Sequence, residues 1–186
     1  MKKSTGIILA VVIVLAIIFG TSYNSLTTAK EDVDGQWAQV ENQLKRRADL
    51  IPNLTNTVKG YADHEKDTFT ELAKARSGIE NAKSVKDFEE ANEQMDQAIR
   101  SLNVVVEDYP ELKADESFKN LQINLEGTEN RIATERMRYN EMVRDFNKKV
   151  KRMPTRIIAS IMGFSPMDYF QISENEKDAP VVDFGK

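Results

Sequence analysis

Three groupings of charged side chains in this sequence could do chemistry. The first is Lys45-Arg46-Arg47, followed by Asp49. Such a density of cations suits anionic headgroups or an acidic partner. Read as an ordinary helix, the same run is a solvated face in which Glu41 and Lys45 pair at i, i+4 for about 0.3 kcal/mol. Arg47 stands apart because it falls in phase with the apolar positions around it. A guanidinium there needs a carboxylate, and Glu129 or Glu135 could supply one. Buried arginine is seldom left unpaired, so Arg47 is read as a structural bridge between helices.

The second grouping is His64-Glu65, which contains the residue types of a general acid–base pair. Neighbours on a helix point about 100° apart, and no serine or aspartate nearby completes a nucleophile set. His64 is therefore read as a surface or structural residue. The third grouping spans 144–156 and has six cations against one acid, Asp145. Arg144, Lys148, Lys149, Lys151, Arg152 and Arg156 could meet phosphate-rich headgroups or a polyanionic envelope polymer. Beyond them lie Ile157, Ile158, Ile161, Met162, Phe164, Met167, Tyr169 and Phe170, which would make the segment an amphipathic surface-binding element. Equally, cations favour a helix C-terminus, and the apolar residues could be a packed closing segment. Both readings stand. The candidate interaction surface is thus Lys45, Arg46, Lys148, Lys149, Lys151 and Arg152.

Composition removes much else. The 186 residues include no Cys and one His. That excludes disulfides, zinc ribbons, iron–sulfur clusters, thiol catalysis and multi-histidine metal sites. No cofactor, metal or small-molecule substrate is expected, and no nucleic acid, since the chain is acidic with a net charge of −4. No catalytic residue is assigned, and the chain is read as a non-enzyme.

The mean hydropathy of −0.50 describes no real surface. Between Lys3 and Lys30 lie 26 uncharged residues, and Ile7–Phe19 is apolar throughout. Ser4–Tyr23 supplies the roughly 20 residues that a bilayer core requires of a helix. A cleaved signal peptide is the rival, with Lys2-Lys3 as its basic region and Gly20-Thr21-Ser22 as a weak cleavage site. The β-branched run without Pro favours an uncleaved anchor, and Tyr23 sits where a tyrosine ring prefers the headgroup layer. Lys2 and Lys3 place the N-terminus in the cytoplasm and the rest outside it. Without Lys2 and Lys3, 24 basic residues face 30 acidic ones.

From Val33 the apolar residues follow a spacing of three or four: Val33, Trp37, Val40, Leu44, then Ile51, Leu54, Val58, Tyr61, and later Leu72, Ala75, Ile79, with Arg47, Glu65 and Thr68 filling the other steps of the series. That is a helix stripe. Its phase runs through Pro52, which predicts a helix kinked near residue 50 rather than broken there, ending near Gly78. Ser84 opens a second helix with a capping box to Asp87, and Pro110 closes it. A third helix is expected over Asp115–Arg152 and a short one over Thr155–Met162. The expected class is all-α: an N-terminal single transmembrane helix followed by an elongated antiparallel helical bundle. Residues 1–25 would be the anchor, 26–172 the bundle, and 173–186 a disordered polar tail.

Several blocks together resemble the LemA family of bacterial membrane proteins. They are Tyr23-Asn24, the run Arg46-Arg47-Ala48-Asp49-Leu50-Ile51-Pro52-Asn53-Leu54, and Val58-Lys59-Gly60-Tyr61-Ala62-Asp63-His64-Glu65. Tyr109-Pro110-Glu111-Leu112, Gly127-Thr128-Glu129-Asn130-Arg131-Ile132, Arg138-Tyr139-Asn140 and Gly163-Phe164 continue the pattern to about residue 170. Phe146-Asn147 departs from the Tyr-Asn expected there, so a hydroxyl at 146 is no catalytic requirement. The resemblance implies a single-pass anchor and a helical bundle at the cell membrane. It implies no settled activity, although some members are associated with membrane-organelle formation and others sit near membrane proteases. The function expected is a membrane-anchored scaffold that binds the lipid bilayer and a protein partner, or else associates with itself to remodel membrane.

Overall fold

A computed structural model describes residues 2–62 and 64–171. Every regular element among them is a helix: α1 Lys2–Lys59, α2 Lys66–Asn81, α3 Val85–Glu107, α4 Pro110–Ala114, α5 Glu116–Lys151 and α6 Thr155–Met162. The all-α class holds. The chain divides into two compact units, Met1–Val40 with Glu135–Tyr169, and Glu41–Thr134 with Phe170–Lys186.

In the first unit, residues 4–19 of α1 are all exposed. This part of α1 is long and apolar enough to cross a membrane. Burial begins at Leu26 and continues at Ala29, Val33 and Val40, so the packed stripe starts two turns earlier than Val33. α5 runs antiparallel to α1 here. Glu135 accepts a hydrogen bond from Gln36 at 2.7 Å, the rings of Trp37 and Tyr139 lie 5.2 Å apart, and Lys149 Nζ reaches to 3.5 Å from the Ser25 carbonyl. α6 buries Ile158 and Ala159. It ends at Gly163, whose φ of 76° is left-handed. Glycine alone takes that conformation without a Cβ penalty, and it turns the chain so that Phe164 N–H donates to Ala159 O at 2.9 Å.

In the second unit, α1 passes through Pro52 as one helix, in keeping with the reading that the phase is not broken there. The expected continuation to Gly78 is wrong, however. α1 ends at Lys59, and the N–H groups of Tyr61 and Ala62 both turn back onto Val58 O at 2.9 Å. Gly60 has little helix preference, so the apolar phase is resumed by a separate helix, α2, through Leu72, Ala75 and Ile79. A helix end near Gly78 is found, since α2 stops at Asn81, but Gly78 itself is not the terminus. It lies inside α2 where that helix meets α3, and a Cβ there would come within 3.2 Å of Ala91 Cβ.

α3 opens as its sequence signature predicts. Ser84 Oγ accepts from Asp87 N–H at 3.1 Å, and Asp87 accepts from Ser84 N–H at 2.9 Å. Pro110 ends α3 but also starts α4, an unforeseen single turn in which it takes the first helical position, where a missing N–H costs nothing. Asp115 then caps α5, accepting from Phe118 N–H at 2.8 Å. The tail expected to be disordered lies outside the described residues.

Candidate functional site

Arg47, on the α1 stripe, is 3% exposed. Its Nη1 lies 2.6 Å from Asp96 Oδ1 and donates to Asn92 Oδ1 at 3.1 Å. Asn92 in turn donates to Asp96 Oδ2 at 3.2 Å. Glu129, one of the two carboxylates expected, stands 3.7 Å from Nη2 and is mostly exposed. Glu135, the other, is held in the first unit by Gln36 and Arg138. The principal partner is therefore Asp96, which sequence reasoning missed. It sits on α3 one residue beyond Met95, which belongs to the buried stripe Phe88, Ala91, Met95, Ala98, Leu102 and Val106, and Arg47 reaches it because a long guanidinium need not meet a residue in phase.

Beside this cluster is a cavity of about 250 Å³ whose wall includes Arg47, Leu54, Asp96, Phe118, Glu126 and Glu129. Arg47 Nε is buried without a hydrogen-bond partner. The wall offers charge pairing and hydrogen bonding, and its lining residues include no Ser, Thr, Lys or His. His64 is exposed on the turn after α1 and is no part of that wall. Among the described residues no three His, Asp or Glu side chains form a metal-binding group.

Lys45 and Arg46 point to solvent on α1. Lys45 pairs with Glu41 at 2.5 Å, the i, i+4 contact foreseen on the solvated face. Pro52 is half-buried within the same helix.

The first unit gathers the other candidates at one end. Lys148 lies 3.3 Å and Arg144 3.2 Å from Asp145, and these two cations, Arg144 first, hold the Asp145 carboxyl below the usual carboxylate range. Lys151, Arg152 and Arg156 are exposed and face no carboxylate among the described residues. On α6, Ile157 is 51% and Ile161 68% exposed, one helical turn apart on a single face. Tyr23 is partly exposed, its ring 6.2 Å from Phe164 in an edge contact.

Two residues not singled out by their chemistry fix this end. Asn147 donates to Met167 O at 2.9 Å and accepts from Met167 N–H at 2.8 Å. Tyr139 O–H donates to Asp168 O at 3.0 Å. Both are buried on α5, so they strap the segment after α6 to it. Their polarity in an apolar stripe was the available signal. Phe146, where a tyrosine was expected, is 1% exposed with its ring 6.4 Å from that of Phe164.

The LemA family model matches residues 36–184. The chain is 26% identical to magnetosome protein MamQ 2 of Paramagnetospirillum magneticum, over 86% of this chain and 68% of that protein. It is 23% identical to magnetosome protein MamQ of Magnetospirillum gryphiswaldense over the same shares. To protein LemA of Metamycoplasma hominis it is 25% identical, over 83% of this chain and 71% of that one. With four-fifths of its length matched by the family, from the second half of α1 onwards, the chain belongs to the LemA family.

Proposed function

We propose that this chain is a membrane-anchored, non-enzymatic scaffold of the bacterial cell envelope. One observation carries the reading: α1 passes from an exposed, uncharged segment into buried Leu26 as one unbroken helix. Whatever the bundle binds is then held at the membrane. Residues 1–25 act as the anchor and 26–172 as the binding part, with 173–186 a polar tail. Lys2 and Lys3 favour a cytoplasmic N-terminus and an extracytoplasmic bundle. Lys45 and Arg46 in the last third of α1, with Lys148, Lys149 and Lys151 at the end of α5 and Arg152 just after it, form its recognition surfaces.

The test is a photoreactive residue placed at Arg46, Asn53, Asn56 or Lys148 in native membranes, all exposed positions. Discrete adducts with another protein or with lipid are expected. A chain that gives no adduct from any of the four positions would not be a scaffold.

The magnetosome relatives favour a second reading, in which copies self-associate on a membrane and shape it. Adducts of twice the chain mass would select it over the first.

A further inference from the structure

We infer that α6 and the basic end of α5 form a collar that seats on an anionic bilayer leaflet where α1 leaves it. The inference rests on α1 spanning the membrane. At 1.5 Å per residue, Ser4–Tyr23 is about 30 Å long, the thickness of the hydrocarbon core. Tyr23 therefore marks the level of the headgroups. Antiparallel packing brings α5 back to that level, with Lys149 near the Ser25 carbonyl and Phe164 against Tyr23. α6 must lie beside them.

What α6 exposes there fits an interface. Ile157 and Ile161 project from one face, Met162 is 43% exposed, and nothing in the first unit covers them. Apolar side chains left open on a short helix at headgroup depth are an interfacial element, which buries such a face some 5–10 Å into the leaflet. A groove of about 550 Å³ runs alongside, floored by Val150, Ala159 and Phe164 and flanked by Lys151 and Arg156. Ser160 and Ser165 add hydroxyls to its wall. Two cations without carboxylate partners among the described residues, in the same wall as two hydroxyls, suit the phosphodiester of a lipid headgroup. Apolar face and cations thus meet the two layers of an anionic leaflet in the right order. A second copy of the chain would bury Ile161 equally well, and the oxygen and nickel accessibilities at 161 separate burial against protein from burial in lipid.

The sequence lacks cysteine, so single nitroxide labels can be attached to the full-length chain reconstituted in vesicles. Val12→Cys reports the anchor, Ile161→Cys the collar and Val104→Cys, on exposed α3, the aqueous reference. In equal parts of phosphatidylcholine and phosphatidylglycerol, the oxygen-to-nickel accessibility ratio at 161 should exceed that at 104 by about threefold or more. Lys151→Gln with Arg156→Gln should lower the docked-to-free ratio about thirtyfold, near fivefold per cation lost, and pure phosphatidylcholine should lower it as well. An aqueous signal at 161 alongside a membrane signal at 12 would overturn the collar and spare the anchor. Low accessibility to both oxygen and nickel at 161 would mean burial against protein, and would overturn it too. An aqueous signal at 12 would remove the spanning reading itself.

Discussion

Arg47 on α1 and Asp96 on α3 meet at 2.6 Å, one side chain 4% exposed and the other 16%. Breaking a buried pair by removing one partner strands the other charge, at a cost of about 3–5 kcal/mol. Asp96→Ala is therefore expected to lower stability by about 3 kcal/mol, read from urea unfolding followed by circular dichroism. Arg47→Met with Asp96→Leu should recover most of that loss, because apolar replacement of both partners is often neutral. Glu129→Gln should change stability by less than about 1 kcal/mol, since Glu129 is mostly exposed and 3.7 Å away. If Glu129→Gln proved as damaging as Asp96→Ala, the assignment of Asp96 as principal partner would fail.

Acid should act on the start of α5. The Asp115 carboxyl is held below the usual carboxylate range, chiefly by the Phe118 N–H and also by the Tyr61 hydroxyl. A depressed value in the folded state contributes stability above the unfolded value, and that contribution disappears as pH falls through the folded value. The stability gap between the natural chain and Asp115→Asn should be full at neutral pH and shrink below about pH 4. Denaturation curves recorded down to about pH 2 check this, and a gap that stays constant would contradict it.

The same contact predicts an alkaline effect of opposite sign. Tyr61 donates to Asp115, which raises the phenol above its ordinary value. A raised value stabilises at lower pH and is lost as pH climbs through the folded value. Absorbance titration of the phenolates should therefore show one group ionising later in the natural chain than in Asp115→Asn. Superimposable titrations would count against the bond.

Gly78 sets how closely α2 and α3 approach. With a Cβ only 3.2 Å from Ala91 Cβ, Gly78→Ala trades a helix-propensity gain of about 1 kcal/mol for a forced separation. Gly78→Val has no such balance and should destabilise by about 1–3 kcal/mol through overpacking. Ala91→Gly in the same chain should relieve it. Chemical denaturation of the three variants decides, and a fully stable Gly78→Val would mean that the helices part freely.

Gly163 should resist substitution for a different reason. Its left-handed backbone costs any L side chain about 1–2 kcal/mol, so Gly163→Ala is expected to lose roughly that much. Gly163→Asn should lose less, because asparagine tolerates this conformation best. Equal losses would place the cost elsewhere than in the backbone.

The helices and their faces were legible because burial repeats every three or four residues. Ser84 with Asp87 and the segment Thr155–Met162 were read directly from local chemistry. The turn at Gly60 was less visible, since the apolar phase of Val58 resumes at Leu72 as though no break intervened. Asp96 could not be read at all. It lies beside the α3 stripe rather than on it, and only the approach of two distant helices selects it over Glu135. Likewise, nothing local in Asn147 announces that Met167 will be its partner, because that bond depends on where Gly163 sends the chain.

The lack of any linker between Tyr23 and Leu26 has a mechanical consequence. A flexible tether would let the first unit tumble whatever the bilayer does. Here any tilt of the span is a tilt of Trp37, Tyr139 and α6 as well. Helices adapt to thicker or thinner membranes by changing tilt, and this one has no joint in which to absorb the change. If α1 spans the bilayer, membrane thickness becomes an angle at which the first unit is displayed.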